Sequence, residues 1–551
     1  MRVSRLLVRL GLAAVAAAMV GNGAVTAQSS ATTEQVAACE ALKSLRNLTI
    51  TSATVAETEG AGTLYCYVKG DLPRAIRFHI QLPFAENWNG RFLQWGDGGK
   101  DGDLDFADHR VEQGYAVANS NTGHDNGAEP GASFAFDNRQ GEIDFGYRAV
   151  HLTVTAGKTL VRAYYGGPPE YAYFEGCSTG GRQGLMEAQR YPSDFDGIVA
   201  GAPVNYYQAI NAGSIWNLQR MFRDDFAGAL SFDTNGDGTR DNVRKTTLLA
   251  ETVLAKCDAN DGITDGVIDD PMACDFDPDR DLAALMCTDR DEEDCYTPAQ
   301  LQTVKDFYRG PYDSAGRSVY YGKALGSEMQ WLGAFVPHAG NSGRPGAFGP
   351  SGDHLNYLFY ETDPGVPMHN LVDLSREPDT TASLPEWAWW HFDIDDVTAG
   401  KGNLMMSITD ATDPDLSRFL LDNGGKLLMY HGWSDTGTVP AATVAYYDNV
   451  VATTFDGQVA TAREHARLFL APGMGHCGGG PGPNRWDKLD DLIAWVERAE
   501  APDAVIATHS TNGVVDNERP LCAYPEQAVY TGPAGGANDP ANWVQENFSC
   551  R

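Results

Sequence analysis

The chain is short of positive charge. Its 41 lysines and arginines stand against 74 aspartates and glutamates, a formal net charge of -33 over 551 residues. Nucleic acid and anionic membrane surfaces repel such a protein, so neither is expected as a partner. A saline habitat and simple solubility both account for the excess, which by itself names no substrate. Beyond the first 27 residues there is no apolar run long enough to span a bilayer. Internal repeats and low-complexity linkers are lacking too, which speaks against a repeat array. Charged residues make up only 21% and apolar residues 42%, a balance that excludes general disorder.

What is present begins with "MRVSRLLVRLGLAAVAAAMVGNGAVTA", which holds three arginines and then an apolar stretch of about a dozen residues. It ends in a small-x-small site, Val25-Thr26-Ala27, and reads as a secretory signal (residues 1–27) cut before Gln28. The rival reading, a membrane anchor, needs a longer uninterrupted apolar segment. Cleavage removes Arg2, Arg5 and Arg9 with no acidic residue, taking the charge from -33 to -36. The expected location is secreted or periplasmic. Export makes the ten cysteines disulfide partners. Sequence alone leaves their connectivity open, but locality suggests Cys39 with Cys66, Cys257 with Cys274, Cys287 with Cys295, and Cys522 with Cys550. Cys177 and Cys477 have no near neighbour and would then pair with each other.

The length exceeds one typical core. From about residue 60 to 200 short apolar strands alternate with turns and helices. "AIRFHIQLP", "RFLQWGDGG" and "GYAVANSNTGHD" read as strands ending in glycine-rich loops, and "DFGYRAVHLTVTAGKTLVRAYYG" as a long amphipathic helix. "YAYFEG" reads as a buried strand, and "GRQGLMEAQRYP" begins a helix stopped by Pro192. Such alternation predicts an α/β fold with a largely parallel sheet. Residues 206–400, rich in Asp, Gly, Pro and Trp, lose that rhythm and read as an inserted lid domain. The pattern returns over 401–551 with "GGKLLMYHGWSD", "ARLFLAPGMGHC" and the helix "LDDLIAWVERA". The core is thus expected in two parts, 28–205 and 401–551.

"GCSTG", residues 176–180, fits the G-x-S-x-G nucleophile elbow, a tight strand-to-helix turn that exposes a serine hydroxyl above the sheet. Its acid should follow a later strand and its histidine the last one. Asp435 directly follows "KLLMY" in "HGWSD", and His476 follows "RLFLAP" in "GMGHC". Asp413, Asp415 and Asp422 are nearby but lack a strand-end position. The expected roles are Ser178 as nucleophile, His476 as general base and then acid, and Asp435 as orienter of the imidazole. If Ser178 and His476 touch, Cys177 and Cys477 lie within disulfide reach, α-carbons about 4.4–6.8 Å apart. An oxyanion hole calls for backbone N–H groups. Thr179 should supply one, and Gly98 or Gly99 of "GDGGKDG" the other.

These residues carry a resemblance to the tannase and feruloyl esterase family. It runs through nearly the whole mature chain, on "GCSTGGRQG", "QRYPSDFDGIVAGAPV", "CDANDGITDGVIDDPMACDFDP", "YTPAQ", "HGWSD", "GMGHCGGGPGP", "RPLCAYP" and "NFSC". The resemblance implies an α/β-hydrolase fold with a large inserted lid, the triad Ser178, Asp435 and His476, and the same five disulfides. It implies a structural calcium ion in the lid, on Asp258, Asp261 and Asp265 with the carbonyls of Ile263 and Val267. It also implies a substrate contact from His431. Departures exist: "TGTVP" follows the acid, and "DTNGDGTRD" at 233–241 looks inserted. The latter mimics the start of an EF-hand loop but has Arg244 where the bidentate Glu should stand. Trp331, Trp387, Trp389 and Trp390 are candidates for stacking an aromatic acyl group.

The expectation is therefore a secreted serine carboxylesterase acting on small aromatic esters, feruloyl (or other hydroxycinnamoyl) or galloyl, attached or not to plant polysaccharide or polyphenol. The first alternative is an esterase of the same kind acting on other aromatic monoesters such as mono(2-hydroxyethyl) terephthalate. The second is a secreted calcium-binding protein with no working triad.

Overall fold

The computed structural model describes residues 30–364 and 391–551. The expected leader and Trp387, Trp389 and Trp390 lie outside the described residues. The chain builds an α/β-hydrolase fold around a nine-stranded sheet. In chain order its strands are β1 (Thr49–Glu57), β2 (Leu64–Asp71), β3 (Arg77–Pro83), β4 (Arg91–Trp95) and β5 (Ala116–Ser120). They continue as β6 (Tyr171–Cys177), β7 (Gly197–Gly201), β8 (Lys426–Gly432) and β9 (Ala466–Ala471). The spatial order is β1-β2-β3-β5-β4-β6-β7-β8-β9. Pairs from β5 through β4 to β9 are parallel, and the β1-β2-β3-β5 edge is antiparallel.

Burial explains the composition of the central strands. β5 and β7 are buried at every position, because helices cover both faces of a parallel sheet. Leu427, Leu428, Met429, Leu468 and Phe469 have no more than 1% exposure in β8 and β9. The helix Ala149–Tyr165 covers one face with Val150, Val154, Leu160 and Val161, and ends at Gly166, whose φ of 84° suits glycine. The expected start of that helix at Asp144 is instead a π-helical turn, Asp144–Arg148. The guanidinium of Arg182, fully buried, donates to the carbonyls of Phe145 and Gly146 in that turn and to that of Thr409.

Between β7 and β8 the described chain adds no strand to the sheet. Helices Tyr207–Phe226, Arg244–Cys257, Pro298–Arg309 and Phe348–Tyr357 gather a separate apolar cluster that includes Trp216, Leu249, Phe307 and Phe335. Trp331 is at the heart of that cluster at 0% exposure, its indole N–H donating to Ser327 Oγ at 3.0 Å. It is therefore core and does not reach a substrate, unlike the stacking role open to it from sequence. A C-terminal hairpin, β10 (Ala504–Thr511) and β11 (Val514–Cys522), follows the helix Lys488–Arg498. No helix among the described residues is long and apolar enough to cross a membrane. All ten cysteines pair, as 39–66, 177–477, 257–274, 287–295 and 522–550.

The crossing of β6, β7 and the helix Thr179–Arg190 leaves no room for side chains. A Cβ on Gly181 would lie 2.3 Å from the Gly201 carbonyl oxygen, and one on Gly176 2.8 Å from the Gly180 carbonyl carbon. Gly181→Ala is expected to cost about 1–3 kcal/mol of stability by overpacking, read as a fall in thermal midpoint; an unchanged midpoint would refute this close approach.

Candidate active site

Ser178 sits at the turn between β6 and the helix Thr179–Arg190, at φ 65° and ψ -123°. This is a left-handed conformation that a residue with a Cβ adopts at a cost of about 1–3 kcal/mol. Its N–H donates to the Gly201 carbonyl at 2.9 Å, and its carbonyl accepts from Arg182 and Val204. Parallel pairing puts the ends of β6, β8 and β9 on the same edge of the sheet, so residues leaving those strands meet. Ser178, Asp435 and His476 all line one cavity of about 1140 Å³.

His476 Nδ1 lies 2.6 Å from Asp435 Oδ2. Since the carboxylate accepts, Nδ1 carries the hydrogen, and Nε2 is left as the basic nitrogen of the ring. The other carboxylate oxygen, Oδ1, accepts the N–H groups of Gly437 and Thr438, each at 3.0 Å. Burial alone would push the Asp435 carboxyl up, but the imidazoles of His476 and His431 outweigh it and hold it well below the usual carboxylate range. For His476, burial pulls downward, and the Asp435 charge and hydrogen bond raise it overall. Its side chain remains 41% exposed, open to the cavity.

His431, the expected substrate contact, packs against Asp435. The ring is 0% exposed and is not part of the cavity wall. Its Nε2 faces Asp435 Oδ2 at 3.1 Å and the Thr438 carbonyl at 2.8 Å, while Nδ1 meets the Thr443 hydroxyl at 2.8 Å. Both nitrogens are thus committed, and the residue braces the acid from below. The H-x-x-x-D spacing across a strand end was the available signal, but it does not say on which side of the carboxylate the ring lies. Asp413 and Asp415, the rival acids, close local turns ahead of β8.

Thr179, Gly98 and Gly99 line the cavity beside Ser178. A Cβ on either glycine would meet open space, and Gly99 has φ 61°. Thr179 Oγ1 donates to the Gly99 carbonyl at 2.7 Å, tying this loop to the serine turn. The inserted segment supplies the facing wall, including Tyr207, Ile210, Phe335 and Phe348.

The residues expected to hold calcium lie away from that cavity. Asp258 accepts the N–H groups of Asp265 and Gly266, and Asp261 that of Ile263. Arg519, fully buried, pairs with Asp265 at 2.7 Å and with Asp261 at 3.5 Å, and bonds Asp269 as well. The carboxylates are turned to these partners and not to one common point. Even so, three carboxylates on one guanidinium leave an excess of negative charge, and Asp269 Oδ2 is buried with no hydrogen-bond donor among the described residues. Ile263 and Val267 are buried beside them. A set of hard oxygens short of positive charge fits a calcium ion. Arg519 and Asp269 were not visible from sequence as members of this cluster, because one comes from β11 and the other lies past the loop. The acidic loop at 233–241 folds onto itself, with Asp233 and Asp237 accepting N–H groups of Gly236, Gly238 and Thr239. Arg244 pairs with Glu251 and Asp294.

The sheet order and the strand-end placement of the site are those of an α/β hydrolase, and the chain is a carboxylic ester hydrolase. The family described as "Tannase and feruloyl esterase" matches residues 61–544, and this chain belongs to it. A mono(2-hydroxyethyl) terephthalate hydrolase of Piscinibacter sakaiensis is 34% identical, over 92% of this chain and 91% of the relative. A probable feruloyl esterase B-2 of Aspergillus flavus is 31% identical, over 80% of this chain and 78% of the relative. The crystal structure of feruloyl esterase B from Aspergillus oryzae shares the fold, with a TM-score of 0.76 at 24% identity, covering 94% of this chain and 100% of that one.

Cys177 and Cys477 flank Ser178 and His476, and their bond spans 300 positions with α-carbons 6.0 Å apart. Replacing both with serine should lower kcat by on the order of 10²-fold, through loss of alignment. The fall in activity should be steeper than the fall in thermal midpoint. A double variant with wild-type kinetics would refute the alignment role.

Proposed function

We propose that this protein hydrolyses esters of aromatic acids, of the hydroxycinnamoyl or galloyl kind, through an acyl-enzyme on Ser178. The observation that carries the reading is the 2.6 Å contact between Asp435 and His476 at the mouth of the cavity that Ser178 also lines. In the proposed mechanism His476 Nε2 takes the Ser178 proton as Oγ attacks the ester carbonyl, and Asp435 stabilises the imidazolium. The N–H groups of Thr179 and of Gly98 or Gly99 receive the developing oxyanion. His476 then gives its proton to the leaving alkoxide, and water hydrolyses the acyl-enzyme by the same route. His431 acts through Asp435, as a positioning residue. The inserted segment serves as the lid, and Tyr207, Phe335 and Phe348 offer it an aromatic wall for an aromatic acyl group.

A second reading, hydrolysis of a terephthalate monoester, is favoured by the identity to the Piscinibacter sakaiensis enzyme. The charge of the wall argues for the first. Among the described lining residues Lys100 is the one lysine or arginine, against Asp101, Asp103, Asp105 and Asp353. Such a wall disfavours an acyl group that carries its own carboxylate. Export from the cytoplasm after cleavage near Ala27 is part of the proposal, supported by five disulfides. A structural calcium ion is another part: Asp258, Asp261 and Asp265, with the carbonyls of Ile263 and Val267, would hold it, and it would offset the buried negative charge there.

Two measurements test this reading. Ser178→Ala should lower kcat on p-nitrophenyl acetate by on the order of 10⁶-fold. Methyl ferulate or methyl gallate should be turned over with higher kcat/KM than mono(2-hydroxyethyl) terephthalate. Activity that survives the loss of the hydroxyl ends the proposal, and a reversed preference selects the second reading. For the metal, chelation with EGTA should lower the thermal midpoint and added calcium restore it, because a ligand bound only to the native state stabilises it by mass action. A midpoint indifferent to both would exclude calcium from the loop.

A further inference from the structure

Away from the Ser178 cavity, two helices and a turn bring a histidine and two acids together. His151 stands in the first turn of the helix Ala149–Tyr165, and Glu187 in the last turn of the helix Thr179–Arg190. Asp194 lies in the turn that leads from the second helix into β7. Backbone bonds close that turn: the Tyr191 N–H donates to the Glu187 carbonyl at 2.8 Å, and the Asp194 N–H to the Tyr191 carbonyl at 2.9 Å. The Tyr191 ring lies flat on the His151 imidazole, centroids 3.7 Å apart and planes 5° from parallel, which fixes the plane of the imidazole. His151 Nδ1 is 2.6 Å from Asp194 Oδ2. One ligand atom from each of the three residues lies within 4.8 Å of those of the other two.

Glu187 is the member that its surroundings leave unsatisfied. It is 1% exposed, and both of its carboxylate oxygens are buried with no hydrogen-bond donor among the described residues. A carboxylate withdrawn from water with neither donor nor counter-charge is among the costliest groups to bury. Lys158, further along the same helix as His151, does not supply the missing partner. Its ammonium donates to the backbone carbonyl of Asp194, not to either Glu187 oxygen. Burial, and then the charge of Asp194, push the Glu187 carboxyl well up. A cation held between the two acids would reverse that balance.

We propose that His151, Glu187 and Asp194 form a binding site for a divalent transition-metal ion of the zinc type. The ion ties the helix that begins just after Ser178 to the helix Ala149–Tyr165 and to the turn before β7. None of the three residues lines the Ser178 cavity, so its role is structural.

Donor type, spacing and charge all fit such an ion. One imidazole nitrogen with two carboxylate oxygens suits zinc, whereas calcium takes six to eight oxygens. Bonds of about 2.1 Å place two ligand atoms of a tetrahedral ion about 3.4 Å apart. The cluster brackets that spacing, with 2.6 Å between His151 Nδ1 and Asp194 Oδ2 and an outer limit of 4.8 Å. Small side-chain rotations therefore close it on an ion, which takes the place of the hydrogen between Nδ1 and Oδ2. Two ionised acids outweigh the single charge of Lys158, so the site attracts a cation. The side chains of His151 and Asp194 are 29% and 16% exposed, which gives the ion a way in and leaves its fourth position to water.

The test uses the full mature protein, stripped of metal with EDTA and returned to excess calcium chloride, which keeps the loop at 258–267 supplied. Zinc chloride is then titrated calorimetrically into the wild type, Glu187→Gln and His151→Gln. The wild type should take up one equivalent that either variant binds about 10²-fold more weakly. Zinc held at His476 or on the surface counts equally in all three proteins and cancels. At about a hundredfold excess over the wild-type Kd, zinc should raise the wild-type thermal midpoint by about 2 °C and leave both variants unmoved. Glutamine keeps the shape of a protonated Glu187 that donates to Asp194. A proton shared between those acids, the rival way to settle Glu187, therefore predicts that Glu187→Gln changes neither zinc uptake nor midpoint shift. Equal uptake and equal shifts in wild type and variants overturn the site, as does a wild type that takes up no zinc. His151 is partly exposed, so His151→Gln decides the matter should Glu187→Gln fail to fold.

Discussion

The backbone of Ser178 is the constraint around which this molecule is arranged. At φ 65° and ψ -123° the residue is strained, and nothing local rewards it. The turn persists because its surroundings leave no alternative. Its N–H is taken by Gly201 and its carbonyl by Arg182 and Val204, so relaxation would strand buried backbone groups. The glycines at 176, 180 and 181 allow β4, β7 and the following helix to press against it, with Gly180 packed on the Gly96–Asp97 backbone. Arg110 pins the strand before it by bonding both Glu175 of β6 and Asp487 at the start of the helix Lys488–Arg498. A strained turn at Ser178 therefore requires a close-packed, well-anchored sheet, and the rest of the fold supplies one.

The same requirement explains why much of the core was legible. Strands buried on both faces must be apolar runs, and residues exposed at their carboxyl ends must be polar; "YAYFEGCS", "KLLMYHGWSD" and "RLFLAPGMGH" each switch character within a few positions. Chain order then leads from Ser178 to Asp435 to His476, and the structure brings those residues to one cavity. The pairing of Cys177 with Cys477 was legible by elimination, because a 300-residue gap has no local explanation. What escaped reading is equally physical. β7, "GIVAG", is too short and too rich in glycine to announce itself, and β1, β2 and the terminal hairpin carry mixed burial patterns. Contacts that join distant segments, such as Arg182 to the turn at 145–146 or Arg519 to Asp261, Asp265 and Asp269, leave no periodicity behind.

His431 shows the limit most clearly. Its type and spacing next to Asp435 mark it as part of the site, yet they fit a ring above the carboxylate or below it equally well. In the structure Thr443 and Thr438 engage its two nitrogens. Burial and bonding, not proximity in sequence, fix which neighbours such a ring engages.

The acid also joins the two halves of the molecule electrostatically. Asp435 is 1% exposed, and a carboxylate in such a place must be compensated or it will take up a proton. Two N–H groups and two imidazoles do most of that. A further contribution comes from outside the sheet: Lys323 of the inserted segment, itself 5% exposed, donates to the carbonyl of Thr436, the residue next to the acid, at 2.8 Å. Burial pushes this ammonium down to about 7, and the charge of Asp435 opposes that push. The charge of Asp435 thus favours the ammonium form of Lys323 across the boundary between sheet and insertion. The ring of Phe335, which lines the cavity, lies 3.7 Å below the same ammonium. A displacement of the segment between β7 and β8 would therefore alter both the surroundings of Asp435 and the cavity wall, which makes that segment a structural part of the cavity.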